Sequence, residues 1–313
     1  MVLLNAVQGV LTIVIMISIG YVLTGKGWFN EEISKSFAKL VTNVSLPALM
    51  LSDIMGNFTK DKLVSLSKGL IAPFLSIAIC YVIAIAVSKI FKVEKSRKGT
   101  FQSMFFNSNT IFIGLPVNIA LFGGKSVPYV LLYYIANTTF FWTLGVYCIS
   151  KDAPGEHGSI LSKSTIKRII SPPLLGFITA VILLLLRIQL PSFIMSTCKY
   201  LGNLTTPLSM IFIGISIHSV KLKELKIDKD VIGVLLGRFL VCPLIMVIMV
   251  LLVPVPTLMK EVFIMQSAMP VMTNAPIIAK VYGADSRYAA VMVTLSTVLS
   301  MITIPIFMVI MSK

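Results

Sequence analysis

The sequence predicts an all-α polytopic membrane protein with ten transmembrane helices, arranged as two inverted five-helix repeats. Three observations carry that prediction. The 313 residues are 57% hydrophobic and only 12% charged, against about 25% charged in a water-soluble domain. The charges are clustered, which leaves uncharged runs of the roughly 18 or more apolar residues that a bilayer crossing requires. Short motifs also recur at one fixed spacing of 160 residues.

In chain order, the first span is the uncharged run 2–23 and the second is 34–54. The third, fourth and fifth are the uncharged runs 69–88, 99–122 and 126–149. The sixth is 169–186, the seventh is 192–219 around Lys199, and the eighth is 231–253 around Arg238. The ninth and tenth are 262–279 and 288–312. Each run is continuously apolar rather than alternating, and lipid admits only helices or closed barrels, so these are helices. Trp28 and Trp142 lie towards span ends, where amphipathic rings favour the interface.

This pattern excludes a soluble enzyme, a disulfide-stapled secreted domain and a disordered tail. Cys80, Cys148, Cys198 and Cys242 all sit in apolar stretches without CxxC spacing. They read as small core residues, with no metal site and no cofactor. No charged leader precedes the first apolar run, so a cleaved signal peptide is not expected. The formal charge of +15 does not mark a nucleic-acid binder, because Lys and Arg sit in short loops between apolar runs. Odd-numbered loops hold 18 of them, Lys35 and Lys39 at the start of the second span included, and even-numbered loops with the C-terminal tail hold 7. The positive-inside bias then places the odd loops in the cytoplasm of a multi-pass cell-membrane protein, with both termini outside. Residues 1–150 form the first repeat and 169–313 the second. The stretch 151–168, with Pro154, Gly155 and Gly158, reads as a cytoplasmic linker.

The repeat rests on matched positions. Asn43 and Pro47 in span two fall on Asn203 and Pro207 in span seven. The same offset carries Lys39 onto Lys199, Pro116 onto Pro276 and Gly123 onto Gly283. Five spans per half is an odd number, so the second half enters the membrane inverted, as in secondary transporters.

Spans four and nine carry the helix-breaking residues. Span four holds Asn107, Asn109, Thr110, Gly114, Pro116 and Asn118; span nine holds Gln266, Pro270, Thr273, Asn274 and Pro276. Proline lacks an amide and clashes with the carbonyl a turn back, so the helices are expected to unwind near Pro116 and Pro276. Freed backbone must face protein or a wet cavity. An unwound centre leaves half-helix N-termini, partly positive, at one midplane site. Substrate-binding candidates are therefore Asn109, Thr110, Gly114, Pro116, Thr273, Asn274, Pro276 and Lys280. Asn43, Pro47, Asn203 and Pro207 either support the crossing or touch the ligand. Lys280 and Arg238 each have a second reading, a head group snorkelling to the membrane boundary. His218 reads as a solvated helix end. Thr138, Thr139, Thr294, Thr297 and Ser300 read as helix contacts.

On Asn43–Leu49, Ser108–Pro116 and Pro276–Asp285 the chain resembles the auxin efflux carrier family, which holds plant PIN-type auxin carriers and microbial malate or malonate permeases. The resemblance covers essentially the whole chain. It implies a fold similar to bile acid sodium symporters, with broken helices four and nine crossing at their prolines in a core part. It also implies an organic anion bound beside the crossing, with Asn109 matching the asparagine that touches the substrate carboxylate. The long plant cytoplasmic loop is missing, so phosphoregulation does not carry over.

The expected function is secondary transport of a small organic anion, such as malate, malonate or an auxin-like acid, by alternating access. H⁺ or Na⁺ stands as the coupling ion, the bilayer as the surroundings and a homodimer as an open assembly. An anion channel or a membrane sensor for a carboxylate is the alternative. No enzyme is expected, since the spans lack the paired aspartates or Ser/His sets of intramembrane catalysts.

Overall fold

Glycine and proline set where the helices of this chain begin, end and change pitch. The computed structural model describes residues 2–57, 59, 68–153, 171–218 and 227–311. The linker glycines Gly155 and Gly158 and Pro154 lie outside the described residues, and so do most of 151–168.

The helices are, in order, α1 (Val2–Gly25), α2 (Glu31–Gly56), α3 (Ile71–Ile90), α4 (Lys98–Phe106) and α5 (Thr110–Phe122). Next come α6 (127–150), α7 (Pro172–Leu185), α8 (Ser192–His218) and α9 (Lys229–Leu252). The last are α10 (Thr257–Ser267), α11 (Ala275–Tyr282) and α12 (Ser286–Met311). Among the described residues there is no strand. Helices α2, α3, α8, α9 and the stretch Ser286–Phe307 of α12 are each long and apolar enough to cross a membrane. Shorter apolar helices are Leu11–Gly25, α5 and α7. Large apolar side chains such as Val82, Ile182, Leu251 and Ile302 point outward, the disposition expected of helices facing lipid. The described residues thus form an all-helical, multi-pass membrane protein.

Local chemistry explains the helix ends. Asn30 caps α2 by accepting the amide of Ile33 at 2.9 Å, with Glu31 and Glu32 in the first turn, where carboxylates meet the positive end of the helix. Asp228 caps α9 through the amides of Asp230 and Val231. Gly123 and Gly283, the pair 160 residues apart, end α5 and α11 with φ of 72° and 76°. Positive φ is open to glycine at little cost.

Three prolines widen a helix instead of breaking it. π turns occupy Val41–Ser45, Thr110–Gly114 and Gly237–Val241, and Pro47, Pro116 and Pro243 each follow two residues later. A proline has no amide to give and crowds the carbonyl four residues back; bonding one residue further back relieves both. The break expected at Pro116 is therefore absent there: α5 runs through it, and the chain unwinds upstream at 107–109. A fourth π turn, Phe141–Gly145, lies in α6 without a following proline.

The described chain forms two compact units. One comprises residues 1–68, 111–131 and 170–220; the other comprises 69–110, 132–169 and 221–313. In the first, small residues let helix backbones touch. A Cβ on Gly214 of α8 would meet the carbonyl oxygen of Ile17 and stand 2.9 Å from Gly20 Cα of α1. A Cβ on Gly176 of α7 would stand 2.6 Å from Pro47 Cα of α2, and one on Gly202 of α8 would stand 2.8 Å from Leu49 Cα. Without a hydrophobic force between helices in lipid, such close approach is what holds them together. The second unit is filled by Phe101, Phe105, Phe106, Phe141, Phe263 and Tyr133, all fully buried. Here a Cβ on Gly233 or Gly237 of α9 would run into the ring of Phe101 or Phe105 respectively.

Gly214→Leu forces backbones apart and should destabilise the purified protein by about 1–3 kcal/mol, as overpacking does. Gly56→Ala, with open space around it, should leave the melting temperature unchanged. Equal melting of both variants in detergent would contradict this packing.

Candidate functional site

Two interrupted helices meet inside the second unit. Helix α4 stops at Phe106 because Asn107 turns extended, with φ −98° and ψ 128°. The chain stays non-helical through Asn109, and α5 starts at Thr110. Helix α10 stops at Ser267, and non-helical residues run from Ala268 to Asn274 before α11. The two interruptions pair directly. Ser108 and Val271 form an antiparallel bridge, and the amide of Asn109 donates to the carbonyl of Pro270 at 2.8 Å.

At membrane depth, each backbone group freed by these breaks needs a protein partner, and side chains from neighbouring helices supply them. The carboxamide of Asn137 on α6 accepts from the Ser108 amide and donates to the Ser108 carbonyl, both at 2.9 Å. Ser296 on α12 accepts from the amide of Val271 at 3.1 Å. Gln266 Nε2 donates to the Thr110 carbonyl at 3.3 Å. Gly145, in the π turn of α6, leaves room for Asn107 and Ser103; a Cβ there would come 2.9 Å from each.

The strongest of these partners is Arg238. It lies in the π turn of α9 and is completely buried, so the snorkelling reading is wrong. Nη1 donates to the Phe105 carbonyl and Nε to the Met269 carbonyl, each at 3.1 Å, while Nη2 donates to the Ser267 carbonyl. These oxygens belong to the C-terminal ends of α4 and α10, the negative ends of two helix dipoles. Among the described residues no carboxylate forms an ion pair with Arg238. Among the described residues the positive charge is met by three carbonyl dipoles and the Cys242 sulfur.

Helix α4 is pinned at its other end as well. Asp152, just past α6, accepts the amides of Gly99 at 2.5 Å and Thr100 at 2.6 Å and the Thr100 hydroxyl at 2.7 Å. Burial pushes its carboxyl up, opposed in part by these three bonds. A carboxylate at the N-terminus and a guanidinium at the C-terminus complement the dipole of one short helix. Nearby, Arg97 Nη2 bridges Asp228 at 2.8 Å and the buried Asp230 at 2.7 Å, with the Tyr288 ring 4.9 Å beneath it. Burial raises the Asp228 carboxyl, but the Val231 amide, Arg97 and the Asp230 amide outweigh it and hold the group below its ordinary range.

The expected site residues fall as follows. Asn109 and Thr110 lie at the paired interruptions, each 2% exposed. Thr273, Asn274 and Pro276 are half-buried at the start of α11, with Pro276 at its second residue. Lys280 is exposed in the last turn of α11. Gly114 and Pro116 are buried in α5, and they belong to the other unit. So do Asn43, Pro47, Asn203 and Pro207; Asn43 is exposed and donates to its own helix at Lys39, and Asn203 is also exposed. His218 is exposed and stacks edge-on against Tyr21. Cys80, Cys148 and Cys242 are buried and Cys198 is half-buried, none of them in a disulfide.

Sequence reasoning missed Asn137, Ser296 and the anchoring role of Arg238. A signal existed for the first two. The offset of 160 carries Asn137 onto Thr297, next to Ser296, so each break is clamped from the span that follows it.

A model of a family described as membrane transport protein matches residues 5–308. An uncharacterized transporter of Methanocaldococcus jannaschii is 26% identical over 308 residues, covering 95% of this chain and 96% of that protein. One of Methanothermobacter thermautotrophicus is 24% identical over 321 residues, covering 99% and 100%.

Removing the Asn137 carboxamide strands a buried amide, at about 1–3 kcal/mol for an unsatisfied group. Asn137→Ala should therefore lower the melting temperature more than Ser296→Ala, which loses one bond. The reverse order in a melting series would mean that Asn137 does not hold the break.

Proposed function

The chain belongs to the membrane transport protein family, and from that premise we propose that it is a secondary carrier for a small organic anion. It is a membrane transporter by family and by the relatives matched along its whole length. The observation that carries the finer reading is the pairing of two interrupted helices at Ser108–Val271, beside a buried guanidinium that has no carboxylate partner among the described residues. A carrier site needs oriented donors and local positive charge in a dry place. Asn109 and Thr110, with the Thr273–Asn274 turn, supply the donors; Pro276 sets the start of α11, and Lys280 adds charge from its far end. Asn109 and Thr110 are buried, so binding goes with an opening step. An elevator or rocking motion of the crossed-helix core supplies it, giving alternating access.

The inverted repeat has support beyond the matched motifs. Residues 10–57 and 170–217, 160 apart, lie in one unit, and 69–110 and 229–270 lie in the other. The exception is 111–131, whose counterpart 271–291 stays with the second unit. The two bridging interruptions begin at Asn107 and Ala268, within one residue of that same offset. The proposal retains ten spans, a cell-membrane location and termini outside.

Orientation is tested by cysteine labelling. In a background without native cysteines, Cys at Lys163 should react from the cytoplasmic side and Cys at Lys313 from outside. Labelling from one side would overturn both the orientation and the inverted repeat.

Asn109→Ala should remove a charge-assisted hydrogen bond to the anion worth roughly 1.5–3 kcal/mol, about ten- to a hundredfold in affinity. Asn109→Asp should be weaker still, since it sets a negative charge where the carboxylate sits. Calorimetry with a panel of mono- and dicarboxylates, beside counterflow of labelled anion in liposomes, measures both. Parent-like binding by Asn109→Asp would remove the crossing as the anion site, and binding without counterflow would make the protein a sensor.

A further inference from the structure

We infer that Arg238 is a tethered cation in the place where a carrier of this build binds a coupling metal ion, so that transport proceeds without Na⁺ at the crossing. The inference rests on the carrier reading above. In carriers with interrupted helices, the unwound carbonyls and the C-terminal ends of half-helices are the groups that coordinate Na⁺. Here the carbonyls of Phe105, Ser267 and Met269, drawn from both half-helix ends, are already occupied by the three nitrogens of one guanidinium.

The chemistry of the side chain fits that task. A planar fork with several N–H donors can reach carbonyls from two chain segments at once, which a single ammonium reaches less well. The guanidinium carries its charge on a side chain bonded to the backbone, so the charge cannot leave the site as a metal ion can. The π turn aims the side chain inward, and Cys242 Sγ accepts from Nη1 at 3.6 Å while lying 3.3 Å from the Phe105 carbonyl. A metal cation arriving beside this fixed charge at low dielectric would be repelled. A mobile ion contributes its charge only when bound; Arg238 contributes it in every state of the cycle. The anion then moves down its own gradient, or in exchange for another anion, with no sodium gradient to draw on.

The test is an ion-replacement series on purified protein, read by melting in detergent and by counterflow of a labelled dicarboxylate in liposomes. Wild type should give the same melting temperature and the same counterflow rate in sodium, potassium and choline chloride. Arg238→Ala should melt several degrees lower and lose at least tenfold in counterflow. Millimolar guanidinium should recover part of both. Should Arg238→Ala yield no folded protein, Arg238→Lys should fold, melt below wild type and remain indifferent to sodium. Sodium-dependent melting or counterflow of wild type would overturn the inference. So would an Arg238→Ala variant that behaves as wild type or gains nothing from guanidinium. If wild type moves no anion at all, the carrier reading fails, while the melting series still decides the role of Arg238.

Discussion

A backbone amide or carbonyl released from a helix inside a bilayer has no water to turn to, and the second unit is organised around that constraint. Two helices are interrupted within it, and released groups of Phe105, Ser108, Asn109, Thr110, Ser267, Met269 and Val271 are met by specific donors or acceptors. The bridge between Ser108 and Val271 satisfies part of the demand by setting one break against the other. Asn137, Ser296, Gln266 and Arg238 meet the rest. The neighbouring helices are therefore more than packing partners: α6, α9 and α12 each contribute a polar side chain to the junction. Gly145 and Gly237 in turn give α6 and α9 the close approach these contacts need.

Much of this was legible in the sequence. Uncharged runs announce membrane helices because length and apolar character suffice to define them. Amides, Gly and Pro massed at the centres of spans four and nine announce interruption. The exact seat of the break was not legible. Pro116 was expected to unwind its helix, but a proline removes only one bond and can be absorbed by a widened turn, as Thr110–Gly114 does. The true break follows from Asn107, Ser108 and Asn109, whose backbone is held extended by residues 25 or more positions away in sequence. No local pattern encodes such partners. Arg238 leaves two readings open in the sequence for a related reason. A lone cation in an apolar run looks like a side chain that escapes to the boundary, and only the converging carbonyls of two other helices show that it stays.

The same comparison separates two roles for matched residues. Gly123 and Gly283 behave alike, each ending a helix with positive φ. Pro116 and Pro276 do not: one sits seven residues into a continuous helix, the other at the second residue of a new one. A shared motif position therefore fixes the residue type without fixing the local conformation, because tertiary partners decide whether the proline is absorbed or starts a helix.

A π turn holds one residue more than the α-helix it interrupts, and that surplus has an evolutionary reading. Each residue of an α-helix advances about 100° around the axis, so a single-residue insertion swings everything on one side of it to a new face. In α9 the surplus lies at Gly237–Val241. Trimming one residue there would restore regular winding at the cost of turning either Arg238 or the whole C-terminal half of α9 away from its present neighbours. The length of this short stretch is consequently under tighter constraint than its composition. Insertions and deletions should be purged from it even where substitutions at Phe239 or Leu240 are tolerated.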